Sequence, residues 1–203
     1  MTAYALASDG VTRKWQPPGN VKQVRVPIRM RIVNLIENTE GSAECACSHG
    51  LSFYVETEKH KLLVDLGPSD ETLKNAEKLD IDLTQVDTVI LSHGHYDHSG
   101  GIMTFSGINP NAVIYMQESA NEDYYSDNGE GEGEERYRYI GIDNAIMNLP
   151  QVRAIKGDHC IDDELELFTV KNRTHKLPSP LNASCAGRMV STFRMISDMS
   201  IIW

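Results

Sequence analysis

The chain has 203 residues with 19 Lys and Arg against 29 Asp and Glu, a net charge of -10, so it suits one domain with a sizeable core and excludes a nucleic-acid binder that relies on a basic surface. Its four cysteines, Cys45, Cys47, Cys160 and Cys185, come without the apolar centre of a secretion signal, which argues against a disulfide framework. No run of about 18 apolar residues marks a membrane span, and the expectation is a soluble, cytoplasmic protein.

Residues 1–29 carry Pro17, Pro18, Gly19 and Pro27 and show no sustained period, so they are expected to form a poorly ordered leader. From Met30 the character changes. MRIVNLI, LSFYVET (Leu51 to Thr57) and KLLVDLG (Lys61 to Gly67) read as three strands, the last ended by Gly-Pro. SDETLKNAEKL has Ser69 or Asp70 as N-cap, acids in its first turn, and Leu73, Ala76 and Leu79 at helical spacing. DTVILSH (Asp87 to His93) suits a buried strand, and AVIYM (Ala112 to Met116) repeats that pattern after a helix expected to start near His98. SDNGEGEGEERYRY (Ser126 to Tyr139) is acidic and Gly-rich, read as a mobile loop that is either a solvated excursion or a substrate-facing lid. ELELFTV (Glu164 to Val170) alternates as a half-buried strand does. Hairpins mixed with helical crossovers imply a mixed sheet with helices packed on it.

The stretch VILSHGHYDHSGG follows the Asp87 strand and delivers His93, His95, Asp97 and His98 to the rim of a sheet. Residues two apart in an extended segment point the same way, so His93 and His95 can grip one metal ion. Asp97 and His98 fall in the next turn and can face a second ion, while Gly94, Gly100 and Gly101 are read as letting the backbone turn tightly around the cations. Imidazole suits zinc, iron or manganese and a carboxylate adds a hard ligand, so these residues leave the ion open. A pair of ions would lower the pKa of a bridging water and polarise a substrate oxygen, and an anionic small molecule would find its positive partner there.

HGHYDH resembles the HxHxDH signature of the metallo-β-lactamase fold superfamily. Asp65 in LLVDLG sits where that family has a strand-end aspartate, and the resemblance implies that it buttresses the metal loop. NLIENTEGS, CSHGLSFYVET, HKLLVDLG, LSHGHYDHSGG, YRYIGID and LPSPLN, in this order, resemble the branch related to the dihydropterin and ribofuranosylaminobenzene-phosphate synthase of methanopterin biosynthesis, many of whose members are known only as metal-dependent hydrolases. The resemblance covers roughly Met30 to Asn182. It implies an α+β fold, the αββα sandwich with a mixed β-sheet and flanking helices, of which this chain holds the N-terminal portion only. It also implies two ions, zinc first with iron or manganese as alternatives, and a metal-activated water that Asp97 orients or deprotonates. Alternatives are a pterin-type synthase, a glyoxalase-like thioester hydrolase, a phosphodiesterase disfavoured by the acidic composition, and a remnant that binds metal weakly and turns nothing over.

Several other residues draw attention without matching a known pattern. Cys45, Cys47 and His49 form a CxCxH cluster of unfamiliar spacing, and Glu44 and His49 share a loop that could approach the site. His159 and Cys160 are expected at the surface, and His175, just before LPSPLN, is expected in a loop.

A complete member of the superfamily supplies another His, a bridging Asp or Cys and a last His from its second half. After Asn182 this sequence has no His, one Asp (Asp198) and one Cys (Cys185). Read one frame over, from the third base of each codon, the codons allowed for GRMVSTFRMISDMSIIW include KDGIYLPDDFRHEHYL, the kind of segment this branch has after LPSPLN. The expectation is therefore a frameshift near Asn182, an aberrant tail over 183–203, a partial domain over 30–182, and Met30 as the native start. A half-core left exposed would favour self-association.

Overall fold

The computed structural model describes residues 4–6, 12–14, 30–42, 44–129, 131, 136–170 and 190–195. In chain order the strands are β1 (Tyr4–Leu6), β2 (Thr12–Lys14), β3 (Arg31–Ile36), β4 (Ser52–Glu56), β5 (Lys61–Val64), β6 (Thr88–Ile90), β7 (Val113–Gln117), β8 (Tyr125–Asp127), β9 (Tyr137–Tyr139), β10 (Val152–Ile155), β11 (His159–Cys160), β12 (Leu165–Val170) and β13 (Val190–Met195). The α-helices are α1 (Glu71–Lys78), α2 (Tyr96–Ser99) and α3 (Ile102–Ile108).

A six-stranded sheet in the order β10-β7-β6-β5-β4-β3 is the frame. β3, β4 and β5 pair antiparallel, whereas β5–β6, β6–β7 and β7–β10 pair parallel. Parallel neighbours need crossovers, and α1 and α3 lie in the two that join β5 to β6 and β6 to β7. The fold is of the α+β type, a mixed sheet with few helices.

Alternation along the strands divides the core in two. Tyr54, Leu63, Val89, Ile114 and Met116 face a cluster completed by Leu73 and Ala76 of α1 and by Ile102 and Phe105 of α3. Their neighbours Val55, Leu62, Val64 and Ile90 face the opposite way, onto Leu165 and Leu167 of β12. That seam joins the large sheet to a three-stranded one ordered β11-β12-β13. Thus, among the described residues, β12 already covers part of the second face.

The helix expected after Gly-Pro forms, and of its two expected caps Ser69 is the one whose side chain takes part, its Oγ accepting from Glu71 N at 3.4 Å. Asp70 occupies the N-cap without a side-chain cap hydrogen bond. The C-terminus closes by a Schellman pattern, with Ile81 N donating to Ala76 O (2.9 Å), Asp80 N donating to Glu77 O (3.1 Å), and Asp80 left-handed at φ 56°. Asn75, fully buried, donates Nδ2 to Leu35 O and Ala46 O and accepts from Ala46 N. It pins to α1 the loop that carries His49.

The segment expected to be a loop has strands at its ends. β8 and β9 pair antiparallel from Tyr125↔Tyr139 to Asp127↔Tyr137, and residues 130 and 132–135 between them lie outside the described set. In the leader, β1 and β2 pair as a hairpin, and in the tail β13 pairs with β12. The rest of residues 1–29 and of residues 183–203 lies outside the described residues, as does His175.

Candidate metal centre

β5 and β6 run parallel, so their C-terminal ends open on the same rim. Asp65 follows β5 and the segment from Leu91 to Gly101 follows β6. The two loops are zipped together: Leu66 N donates to His98 O and Gly100 N to Gly67 O, each at 2.8 Å. The glycines act here by letting backbones approach, not by turning, for none of Gly94, Gly100 and Gly101 has positive φ. A Cβ on Gly94 would stand 2.2 Å from Ala120 O, and one on Gly100 2.1 Å from Pro68 O.

Asp65 is buried at 1% exposure and left-handed at φ 57°, a conformation that Asp tolerates better than most residues. Its Oδ1 accepts from Ser92 N, and its Oδ2 accepts from the Ser92 hydroxyl and from His98 Nδ1, all at 2.7 Å. Ser92 Oγ also lies 2.9 Å from His93 Nδ1. A carboxylate can only accept, so the hydroxyl proton goes to Asp65 and Ser92 in turn accepts from His93 Nδ1–H. Through one carboxylate both His93 and His98 carry their proton on Nδ1 and present Nε2 outward.

Electrostatics supports that arrangement. Burial, then the nearby His98 imidazole, pushes His93 down to about 4, so it stays neutral and keeps a lone pair. Burial also works against a charged His98, but its hydrogen bond to Asp65 and the charges of Asp65 and Asp97 outweigh this and raise its pKa.

The four motif residues gather at this rim, the His93 and His98 ring centroids 4.1 Å apart and His95 Nδ1 4.0 Å from Asp97 Oδ1. His93 Nε2 and His95 Nδ1 are 3.0 Å apart, and Asp97 Oδ2 is 3.6 Å from His98 Nε2. Among the described residues, no group of three or more His, Cys, Asp or Glu stands in a geometry that could hold an ion. The donor set nonetheless fits a borderline cation. It offers imidazole nitrogens with fixed tautomers, a carboxylate, and a buried acid behind the ligands, which is how metal-binding histidines are commonly oriented.

One contributor, Ser92, was not singled out by the pattern. It is the link between Asp65 and His93. A Ser beside a metal motif carries no signal by itself; its position directly after a buried strand was the available clue. His49 lies in the loop that the sequence suggested could approach the site. Its ring is 74% exposed, yet Nε2 lies 3.4 Å from Asp97 Oδ2, at a cleft of about 250 Å³ that Glu37, Asn38, Leu51 and His98 also line. Gly50, at φ 135°, permits this approach, since a Cβ there would be 2.2 Å from Asp97 O. Cys45 and Cys47 do not join His49 in a metal cluster, and Glu44 turns to α1, its carbonyl accepting from Lys78 Nζ. His159 and Cys160 are exposed on β11. Tyr124 stacks edge-on over His95 at 5.5 Å.

A sequence model of the metallo-beta-lactamase superfamily matches residues 46–189, well over half of the chain. This chain belongs to the metallo-β-lactamase superfamily. An uncharacterized protein of Methanocaldococcus jannaschii is 33% identical over 135 residues, which span 64% of this chain and 49% of that protein. The 7,8-dihydropterin-6-methyl-4-(beta-D-ribofuranosyl)-aminobenzene-5'-phosphate synthase of the same organism is 35% identical over 79 residues, 36% of this chain and 27% of the synthase. Among solved structures, a metal-dependent hydrolase of the beta-lactamase superfamily superposes with a TM-score of 0.58 at 28% identity, covering 82% of this chain and 54% of that one. The matched regions thus span about half, or less, of each relative's own length. Among the described residues, no helix is long and apolar enough to cross a membrane.

Proposed function

We propose that this metallo-β-lactamase-fold chain serves a metal-dependent hydrolase acting on a small, anionic molecule. The observation that carries this reading is the relay from Asp65 through Ser92 to His93 and directly to His98, which orients two imidazoles toward one rim. In this proposal His93 and His95 hold one ion and Asp97 and His98 a second, zinc being the first choice and iron or manganese the alternatives. Bound metal would supply Lewis acidity toward a substrate oxygen and acidify water.

The chain's own residues do the rest. Asp65 holds the proton of His98 Nδ1 and, through Ser92, that of His93, so neither ring can turn its N–H toward the ligand side. Asp97 is 8% exposed and faces the cleft with its Oδ2, placed to accept a proton from water or to orient it. His49 offers an imidazole at the cleft mouth to an anionic substrate group.

A second reading is a chain that binds metal weakly and turns nothing over. It draws support from the lack, among the described residues, of any three-donor group. A third is group transfer on a pterin-type substrate, supported by similarity to the synthase over 79 residues. Assaying the zinc-loaded chain against thioester, phosphodiester and lactone substrates separates these. Turnover of one class, abolished by chelation and by Asp97→Asn, is expected. Sub-stoichiometric metal with no turnover of any class, pterin condensation included, would leave the second reading in its place.

A further inference from the structure

At the other end of β5, away from Asp65, His60 stands between two acids from distant parts of the chain. Its Nδ1 is 2.8 Å from Asp87 Oδ1, just ahead of β6, and its Nε2 is 2.8 Å from Asp162 Oδ2, in the turn between β11 and β12. The ring is 13% exposed. A neutral imidazole has one N–H and one bare nitrogen, and a bare nitrogen facing a carboxylate oxygen at this distance is repulsive. Both carboxylates already accept backbone donors. Lys61 N gives to Asp87 Oδ2, and Glu164 N and Leu165 N give to Asp162 Oδ1. The proton therefore belongs on His60, which donates from both nitrogens.

We infer that His60 is a proton-operated latch, its imidazolium tying the six-stranded sheet at Asp87 to the three-stranded sheet at Asp162. The latch sits at the edge of the apolar seam in which Leu165 and Leu167 meet Val55, Leu62, Val64 and Ile90. The other charges about it are the exposed Lys59–Asp163 pair, made by the same two turns, with Glu164 beside them. Lys59 and Asp163 neutralise each other at the surface, so His60 is the group there that changes charge near neutral pH.

The direction of the pH effect follows from the two partners. Burial opposes the charged ring, but hydrogen bonds and charge from Asp87 and Asp162 raise His60 above its ordinary 6.5. This contribution is complete below 6.5 and lost as pH rises through the higher folded-state value. Partial burial works against an ionised Asp162, yet donors from Glu164, His60 and Leu165 hold it at about 2, so its share is present above 3.8 and lost as pH falls toward 2. The latch is closed between 3.8 and 6.5 and opens on the alkaline side.

Long-range 15N NMR of the histidine rings in the full chain tests this without a variant. Expected is a His60 that is doubly protonated at pH 6 and titrates above 6.5. A His60 in a single neutral tautomer at pH 6, or titrating at or below 6.5, overturns the inference. Thermal unfolding between pH 5.5 and 9 reads the consequence: the wild-type midpoint should fall with pH more steeply than that of His60→Gln or Asp162→Asn. Parallel slopes in all foldable variants would overturn it. Amide exchange, normalised to intrinsic rates, should speed up at Leu165 and Leu167 at alkaline pH and hold steady at Ile114; equal change at both places also contradicts a latch between sheets.

Discussion

Replacing Asp65 by Asn isolates the orienting role of its charge. Asn accepts the left-handed φ of 57° about as well as Asp, so the backbone turn survives. The amide keeps one carbonyl to accept from Ser92 N, but presents an NH2 where Oδ2 took protons from Ser92 and from His98 Nδ1. Two donors then meet a third. His98 must move its proton to Nε2, the side meant for a ligand, and Ser92 no longer fixes the His93 tautomer. Loss of such an outer partner weakens metal binding by about 10–100-fold, or roughly 1.4–2.7 kcal/mol. Competition against a chromogenic zinc chelator measures the affinity, and 15N NMR reports the His98 tautomer. Zinc affinity within about twofold of wild type, with His98 still protonated on Nδ1, would refute the relay. Asp65→Ala should unfold more readily than Asp65→Asn, since Ala adds about 1–2 kcal/mol of left-handed backbone strain.

Ser92→Ala should leave His98 bound to Asp65 and disturb only His93, weakening zinc binding less than Asp65→Asn does in the same competition assay. Gly100→Ala puts a methyl group 2.1 Å from Pro68 O, so the loops must part; a loss of about 1–3 kcal/mol or more in urea unfolding is expected. Asn75→Ala strips three partners from a fully buried site and should cost at least about 1–3 kcal/mol, read as a lower thermal midpoint. His49→Ala, at a ring 74% exposed, should leave stability within about 0.5 kcal/mol while raising KM for an anionic substrate.

The strands of the large sheet were legible because their burial has two sides. Leu62, Leu63 and Val64 run apolar since one face meets the helices and the other meets β12, and such runs read as buried strands directly. The site motif was legible because its spacing places donors at a strand end. What escaped has local physical reasons. β8 and β9 are three residues each with largely exposed side chains, so neither composition nor alternation announces them against Gly and Glu. Helix α1 ends on Asp80 instead of Gly, hiding its Schellman closure. The glycines of the motif suggested turning, whereas their missing Cβ atoms serve close packing. Contacts such as Ser92–Asp65 and His60–Asp162 span 27 and 102 positions, and no local pattern carries a pairing that remote.

The most direct test of the metal assignment is metal content by inductively coupled plasma mass spectrometry on the purified chain and on His95→Ala, after dialysis against a weak chelator. The account expects wild type to retain zinc, iron or manganese in stoichiometric amount, and His95→Ala to lose at least the share held with His93. Equal, sub-stoichiometric metal in both proteins would contradict it.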